Sequence, residues 1–248
     1  MRGVDLYKYT LDHNKNRKLL NELIKNKTKS KISACAYGYM SNYTYEWGLK
    51  DYFEYSKRFE HFFPKHNVQN INQINYKKNK KIRIGFVSKD FIGNHSIIWL
   101  IKNTLLYFDK NKFETYCISL SDDTFSKGAS LELKKNFDKW FNFSKLKNEE
   151  VVLKLQEQRI EILIDTGGLF HADRIEIFNT RVAPIQISWV GYLNTVGFPT
   201  IDYLVSDKNL IKKHEEKFYS EKIIKMPKIW NSHSGFKFKR EFVESPIK

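Results

Sequence analysis

From residue 81 onward, short apolar runs alternate with segments whose apolar residues recur at helical spacing. That alternation limits the fold more than any other feature of the chain. The runs at 82–88, 113–120, 140–143, 160–165, 185–190, 203–206 and 223–226 read as strands. Between the first two, residues 96–108 carry Ile97, Ile98, Leu100, Ile101, Leu105 and Leu106, the pattern of a buried helix. Residues 127–137 read as a second helix. Asn148-Glu149-Glu150 opens a third, with Asn148 as its N-cap and acids in the first turn. Strands alternating with helices argue a parallel, doubly wound α/β sheet over 81–248.

The preceding residues have a different pattern. Residues 1–66 read as a helical lead-in. One short stripe is formed by Leu19, Leu20, Leu23 and Ile24, and a longer one by Leu49, Tyr52, Phe53, Phe59, Phe62 and Phe63, stopped by Pro64. Aromatic stripes of this kind are usually packing surface. Residues 67–80 are polar, rich in Asn and Lys, and read as a linker. An apolar content of 41% excludes disorder throughout. The two cysteines, Cys35 and Cys117, exclude a disulfide-rich scaffold and a four-cysteine zinc site. No apolar run approaches the ~20 residues of a membrane span. The first residues lack the apolar core of a signal peptide, so the expected setting is cytoplasmic, with no membrane partner. The net charge of +15 fits nucleic acid, anionic lipid or phosphorylated ligands, but Lys and Asn are scattered along the whole chain. Basic charge with aromatics is too general to establish nucleic-acid binding.

In a doubly wound sheet, ligands bind beyond the carboxyl ends of the strands. Three loops there have unusual composition. The first, residues 88–96, places Asp90, Asn94 and His95 just before a helix, where an anion or a sugar hydroxyl can bind and a histidine can exchange a proton. On spacing alone, a capping loop with a surface histidine explains these residues equally simply. The second, residues 165–174, holds Gly167 and Gly168, which let backbone approach a ligand or merely make a tight turn. His171 in this loop is a weaker candidate than His95, because nothing local fixes where it points. The third, residues 189–197, carries small and hydroxyl-bearing residues that suit a sugar or a diphosphate, or an ordinary surface loop. No zinc-hydrolase pairing of His and Glu, no serine-hydrolase elbow and no phosphate loop is found.

Read in order, several motifs together resemble the catalytic region of the O-GlcNAc transferase/SPINDLY-like family. They are Lys81 to Ser88 with Asp90-Phe91 and Asn94-His95, then Ile162 to Asp165 with Gly168, then Arg181 and Ala183 to Tyr192. Ile201-Asp202-Tyr203, Asp207, Tyr219 to Lys222 and Met226-Pro227 complete the set. The resemblance covers roughly residues 81–230, and the run from Pro184 to Tyr192 is its most specific part.

The resemblance implies a Rossmann-like parallel sheet, the N-terminal half of a two-Rossmann-domain glycosyltransferase, with no required metal and no cofactor beyond a UDP-sugar donor. It implies transfer of a sugar, typically GlcNAc, from that donor to Ser or Thr of an acceptor protein with inversion. His95 matches the family's active-site histidine. Asn94, Gly168, Val190, Gly191 and Thr195 fall on its substrate-binding stretches, Thr195 in the loop that follows Gly191. Family members carry tetratricopeptide repeats before this region and a second Rossmann-like half after it, and neither pattern is recognised in the 248 residues. The expectation is therefore a catalytic half that is incomplete alone and works with a separate C-terminal half or within a longer chain. The alternatives are a non-catalytic protein-binding module derived from the fold, or a basic nucleic-acid binder that rests on charge alone. Three departures from the family pattern stand out. Ile92 is an added residue before Gly93-Asn94-His95, Leu169-Phe170 replace His-Thr, and Leu193-Asn194 replace Pro-Gly.

Overall fold

The computed structural model describes residues 48–78, 80–122 and 128–235, with Lys15, Lys18, Cys35, Gly38, Tyr39 and Asn42 before them. The stripe of Leu19, Leu20, Leu23 and Ile24 lies outside the described residues. Two short helices, α1 (Leu49–Ser56) and α2 (Phe59–Phe62), lead into the α/β region. Tyr52, Phe59 and Phe63 of the longer aromatic stripe are buried in the main core.

Seven strands follow: β1 (Ile82–Ser88), β2 (Phe113–Ser119), β3 (Lys139–Asn142), β4 (Ile162–Asp165), β5 (Ile185–Ser188), β6 (Tyr203–Asp207) and β7 (Lys222–Met226). They form one sheet in the order β3-β2-β1-β4-β5-β6-β7, every pair parallel. The order reverses between β1 and β4, so the connections after these two strands run to opposite sides and leave a crevice between them.

The central strands are apolar on both faces, as a sheet covered on both sides requires. Alternate residues feed two clusters. Ile84, Phe86, Cys117 and Ile164 join one with α3 (Ser96–Leu106) and α4 (Ala129–Lys134). Val87, Tyr116, Ile118 and Leu163 join the other with α1 and α5 (Asn148–Glu157). The polar stretch at 67–80 contains two short 3-10 turns, and Gln69 exchanges two hydrogen bonds with the Gln156 side chain on α5.

Several element ends differ from the sequence reading. Helix α3 stops at Leu106, α4 spans only Ala129–Lys134, and β5 ends at Ser188. Asn148 is not the N-cap of α5 but its first residue, with Lys147 in the cap position. Its amide is used elsewhere, donating to the Asp173 carbonyl and Glu176 and accepting from Arg174. The Glu150 carboxylate instead accepts the Lys147 N–H at 2.7 Å.

After β7 the chain returns across α3. The Ser232 and Ser234 N–H groups donate to the Leu100 and Trp99 carbonyls. The Ser232 hydroxyl enters the helix ladder itself, accepting from the Thr104 N–H and donating to the Leu100 carbonyl. No helix among the described residues is long and apolar enough to cross a membrane.

Candidate active site

The loops leaving β1 and β4 meet at the crevice where the sheet order reverses. They are tied by two adjacent pairs. Lys89 bonds Asp173 at 2.8 Å, and Asp90 Oδ2 lies 2.9 Å from His171 Nε2. The other Asp90 oxygen, Oδ1, lies 3.8 Å from His95 Nε2. One carboxylate therefore stands between two imidazoles. The side chains grade from interior to mouth: His171 is 8% exposed, Asp90 23% and His95 39%.

Burial alone would push the Asp90 carboxyl up. The hydrogen bond and charge of His171, with the charges of His95 and Lys89, outweigh it and hold Asp90 below its ordinary value. Asp165, at the end of β4, goes the other way. Its burial dominates and raises it, although it accepts the Gly167 and Gly168 N–H groups at 2.9 and 3.0 Å and faces His171.

His95 is the N-cap of α3, its Nδ1 accepting the Ile97 N–H at 3.4 Å. The capping role read from the loop and the place at the mouth of the crevice thus belong to the same residue. Gly168 has φ +53°, and a Cβ there would overlap Tyr192. Gly191 lies against the β4 loop and α3, where a Cβ would overlap the Thr166 carbonyl and come within 3.1 Å of Ile97 Cδ1. The preceding Val190 is buried at φ +88°, a conformation that a β-branched residue adopts only under strain. His95, Gly168, Val190 and Gly191 are therefore drawn together around the switch point.

The other two expected site residues are turned to the scaffold. Gly128, which precedes α4, has no side chain to cap it, and Asn94 Oδ1 does so by accepting the Ala129 N–H at 2.9 Å. Thr195 is fully buried. Its hydroxyl donates to Glu221 at 2.6 Å and accepts the Gly197 and Ser220 N–H groups. The partnership of Asp90 with His171 was not legible in the sequence, since the two stand 81 positions apart. Among the described residues, no group of three or more His, Cys, Asp or Glu is arranged to hold a metal ion.

Sheet order and converging loops define a Rossmann-like α/β domain whose ligand side is the carboxyl edge of its central strands. A solved O-GlcNAc transferase mutant from Thermobaculum terrenum shares this fold with a TM-score of 0.78 and 20% identity, over 88% of this chain and 42% of that one. Residues 61–236 match the model of glycosyl transferase family 41, and the chain belongs to that family.

Among its relatives is a probable UDP-N-acetylglucosamine–peptide N-acetylglucosaminyltransferase SEC of Arabidopsis thaliana, 30% identical over 60% of this chain and 15% of that protein. The UDP-N-acetylglucosamine–peptide N-acetylglucosaminyltransferase of Caenorhabditis elegans is 30% identical over 63% of this chain and 14% of its own length. A probable SPINDLY enzyme of Oryza sativa subsp. japonica is 24% identical over 73% and 19%. The chain thus spans less than a fifth of each of these three relatives.

Proposed function

We propose that this chain supplies the acceptor-side half of a glycosyltransferase site, moving GlcNAc from UDP-GlcNAc to Ser or Thr of an acceptor protein with inversion. The observation that carries this reading is the position of His95. In a chain matching the family over residues 61–236, it caps α3 at the switch point of the sheet.

In the reaction, the acceptor oxygen bonds to the anomeric carbon and its O–H bond breaks. The anomeric carbon–oxygen bond to UDP breaks with the electron pair leaving on the diphosphate. His95 is the titratable group at the mouth, placed to orient the acceptor hydroxyl and take up its proton. The positive end of α3 faces the same mouth and favours the negative charge that develops on the leaving group. The Val190–Gly191 backbone, pressed onto Thr166, forms the wall against which the sugar packs. A C-terminal catalytic half, on a separate chain or a continuation of this one, would hold the rest of UDP, and the setting would be cytoplasmic.

The test is a calorimetric titration with UDP and UDP-GlcNAc at moderate salt, alone and with a family C-terminal half supplied. Saturable binding that favours UDP-GlcNAc and weakens in His95→Ala is expected. Absence of binding and transfer under both conditions would overturn the reading.

One observation favours a second reading, a non-catalytic protein-binding module. Both Asn94 and Thr195 spend their polar atoms on the scaffold. That reading predicts acceptor-protein binding unchanged in His95→Ala.

A further inference from the structure

Asp90 stands between two histidines, and only one of them faces the mouth of the crevice. We propose that His171 is a positioning residue, fixing the Asp90 carboxylate so that its free oxygen faces His95 and the three side chains act as one chain from core to cleft. The role rests on reading His95 as the site histidine.

Four observations carry it. His171 is nearly fully buried, and its Nε2 lies 2.9 Å from Asp90 Oδ2, which leaves Oδ1 toward His95. The His171 ring occupies space that any other residue at position 167 would fill, because a Cβ on Gly167 would overlap it. The Gly167 backbone, at φ −124° and ψ −30°, is open to residues with side chains, so the imidazole and not the turn requires the glycine. Finally, Lys89 and Asp173 already join the same two loops at 2.8 Å, so the histidine is not needed merely to tie them together.

The charged groups around Asp90 are consistent with this role. Lys89 is its chain neighbour and is paired to Asp173. Asp165 lies behind His171, with its carboxylate bound by the Gly167 and Gly168 N–H groups. His95 Nδ1 accepts the Ile97 N–H, so a neutral ring carries its proton on Nε2, the atom facing Asp90. Asp90 gains and loses no proton in this arrangement. His95 takes up the acceptor proton at Nδ1, giving up the Ile97 N–H held there at 3.4 Å, while its Nε2–H stays toward Asp90, whose charge balances the imidazolium as a triad carboxylate does for its histidine.

The experiment reads His95 directly and needs neither donor sugar nor transfer, so its outcome is independent of whether the transferase reading holds. The rate at which diethyl pyrocarbonate modifies His95 is followed by peptide mass spectrometry in wild type, Asp90→Asn, His171→Leu and His171→Gln. Gln keeps an N–H donor where Nε2 stands, and Leu removes it. Releasing His95 Nε2 from its contact with the Asp90 carboxylate is expected to speed its modification roughly threefold in Asp90→Asn and His171→Leu. His171→Gln is expected to stay at the wild-type rate.

Exposed His233 serves as the control for reagent, and His66, whose side chain is 11% exposed, reports on folding by keeping its low wild-type rate. Should His171→Leu expose His66, His171→Phe, a ring without the donor, replaces it. An unchanged His95 rate in Asp90→Asn, or in the donor-free variant, overturns the proposal. So does a His171→Gln rate equal to that of the donor-free variant.

Discussion

Thr195→Val separates a residue that meets ligand from one that holds the fold. Valine keeps the shape of threonine and deletes only the hydroxyl. That hydroxyl donates to the Glu221 carboxylate at 2.6 Å and accepts the Gly197 and Ser220 N–H groups, each at 3.2 Å. Thr195 is wholly buried and Glu221 is 3% exposed, so water does not replace what is lost. A hydrogen bond to a charged acceptor is worth about 1.5–3 kcal/mol, and each orphaned N–H costs about 1 kcal/mol at the low end suited to such long bonds. The expected loss is about 4 kcal/mol, set against a total stability of about 5–15 kcal/mol. It corresponds to a fall in Tm of about 8–16 °C. Urea unfolding followed by tryptophan fluorescence should show a lower midpoint at unchanged slope. Burial pushes the Glu221 carboxyl up against the pull of Thr195 and the Val196 N–H, so the penalty should shrink in acid as Glu221 protonates. Because the two side chains share one bond, Thr195→Val and Glu221→Gln should combine non-additively. A stability change under about 0.5 kcal/mol, the usual size for a surface site, would refute the buried placement and return the hydroxyl to the cleft.

Two further outcomes follow from the switch-point geometry. Gly191→Ala brings a Cβ onto the Thr166 carbonyl, a backbone atom that cannot swing aside, and should cost about 1–3 kcal/mol while weakening UDP-GlcNAc binding. Gly93→Ala meets nothing within 4 Å and should cost only the left-handed strain of about 1–2 kcal/mol, so equal effects on binding would refute the close approach at Gly191. Asp90 titrates below its ordinary value of 3.8 when folded, so the unfolded chain binds more protons in that window and stability rises with pH across it. The advantage of wild type over Asp90→Asn, about 1–2 kcal/mol for a charge-assisted bond, should be full above that value and vanish as pH falls through the folded one. A gap that stays constant in acid unfolding curves would show that the carboxylate is not held by His171.

The strands were legible because each is a short apolar run cut off by polar residues, and seven such runs appear in one parallel sheet. Their order in the sheet follows from that pattern only as a class, and it is the reversal between β1 and β4 that locates the crevice. The place of His95 at the start of α3 was legible because it sits between a strand end and a helix start. Asn94 and Thr195 show why such reading stops there. A short polar side chain in a loop has the same sequence signature whether it meets a ligand or a neighbouring backbone. Asn94 caps a helix 35 positions away, and Thr195 is paired to a carboxylate 26 positions away. His171 fails in the opposite sense, since its partner lies 81 positions back and no local pattern announces it. Asn148 was misplaced by one residue for a related reason, its amide being drawn off to the turn at 173–176.

The departures from the family pattern gain meaning from where they fall. Leu169 is buried in the main core. Phe170 packs between Tyr39 and Tyr192, with ring centroids 4.5 and 5.9 Å away. Asn194 donates to Asn42 at 2.7 Å, and Asn42 in turn donates to the Tyr192 hydroxyl. These replacements therefore serve the seam between the lead-in and the α/β region, around a cavity that Gly191 also lines. At the mouth itself the wall is main chain, strained at Val190 and pressed onto Thr166 by a glycine that admits no side chain. A wall of backbone keeps its shape when neighbouring side chains change, provided the glycines remain. Leu193 and Asn194 line a 290 Å³ cavity together with Phe170 and Gly191, so what they change reaches the wall only through the Gly191 backbone. Gly168 and Gly191 are the two positions beside it where a single methyl group would overlap a neighbour, Tyr192 at the first and the Thr166 carbonyl at the second.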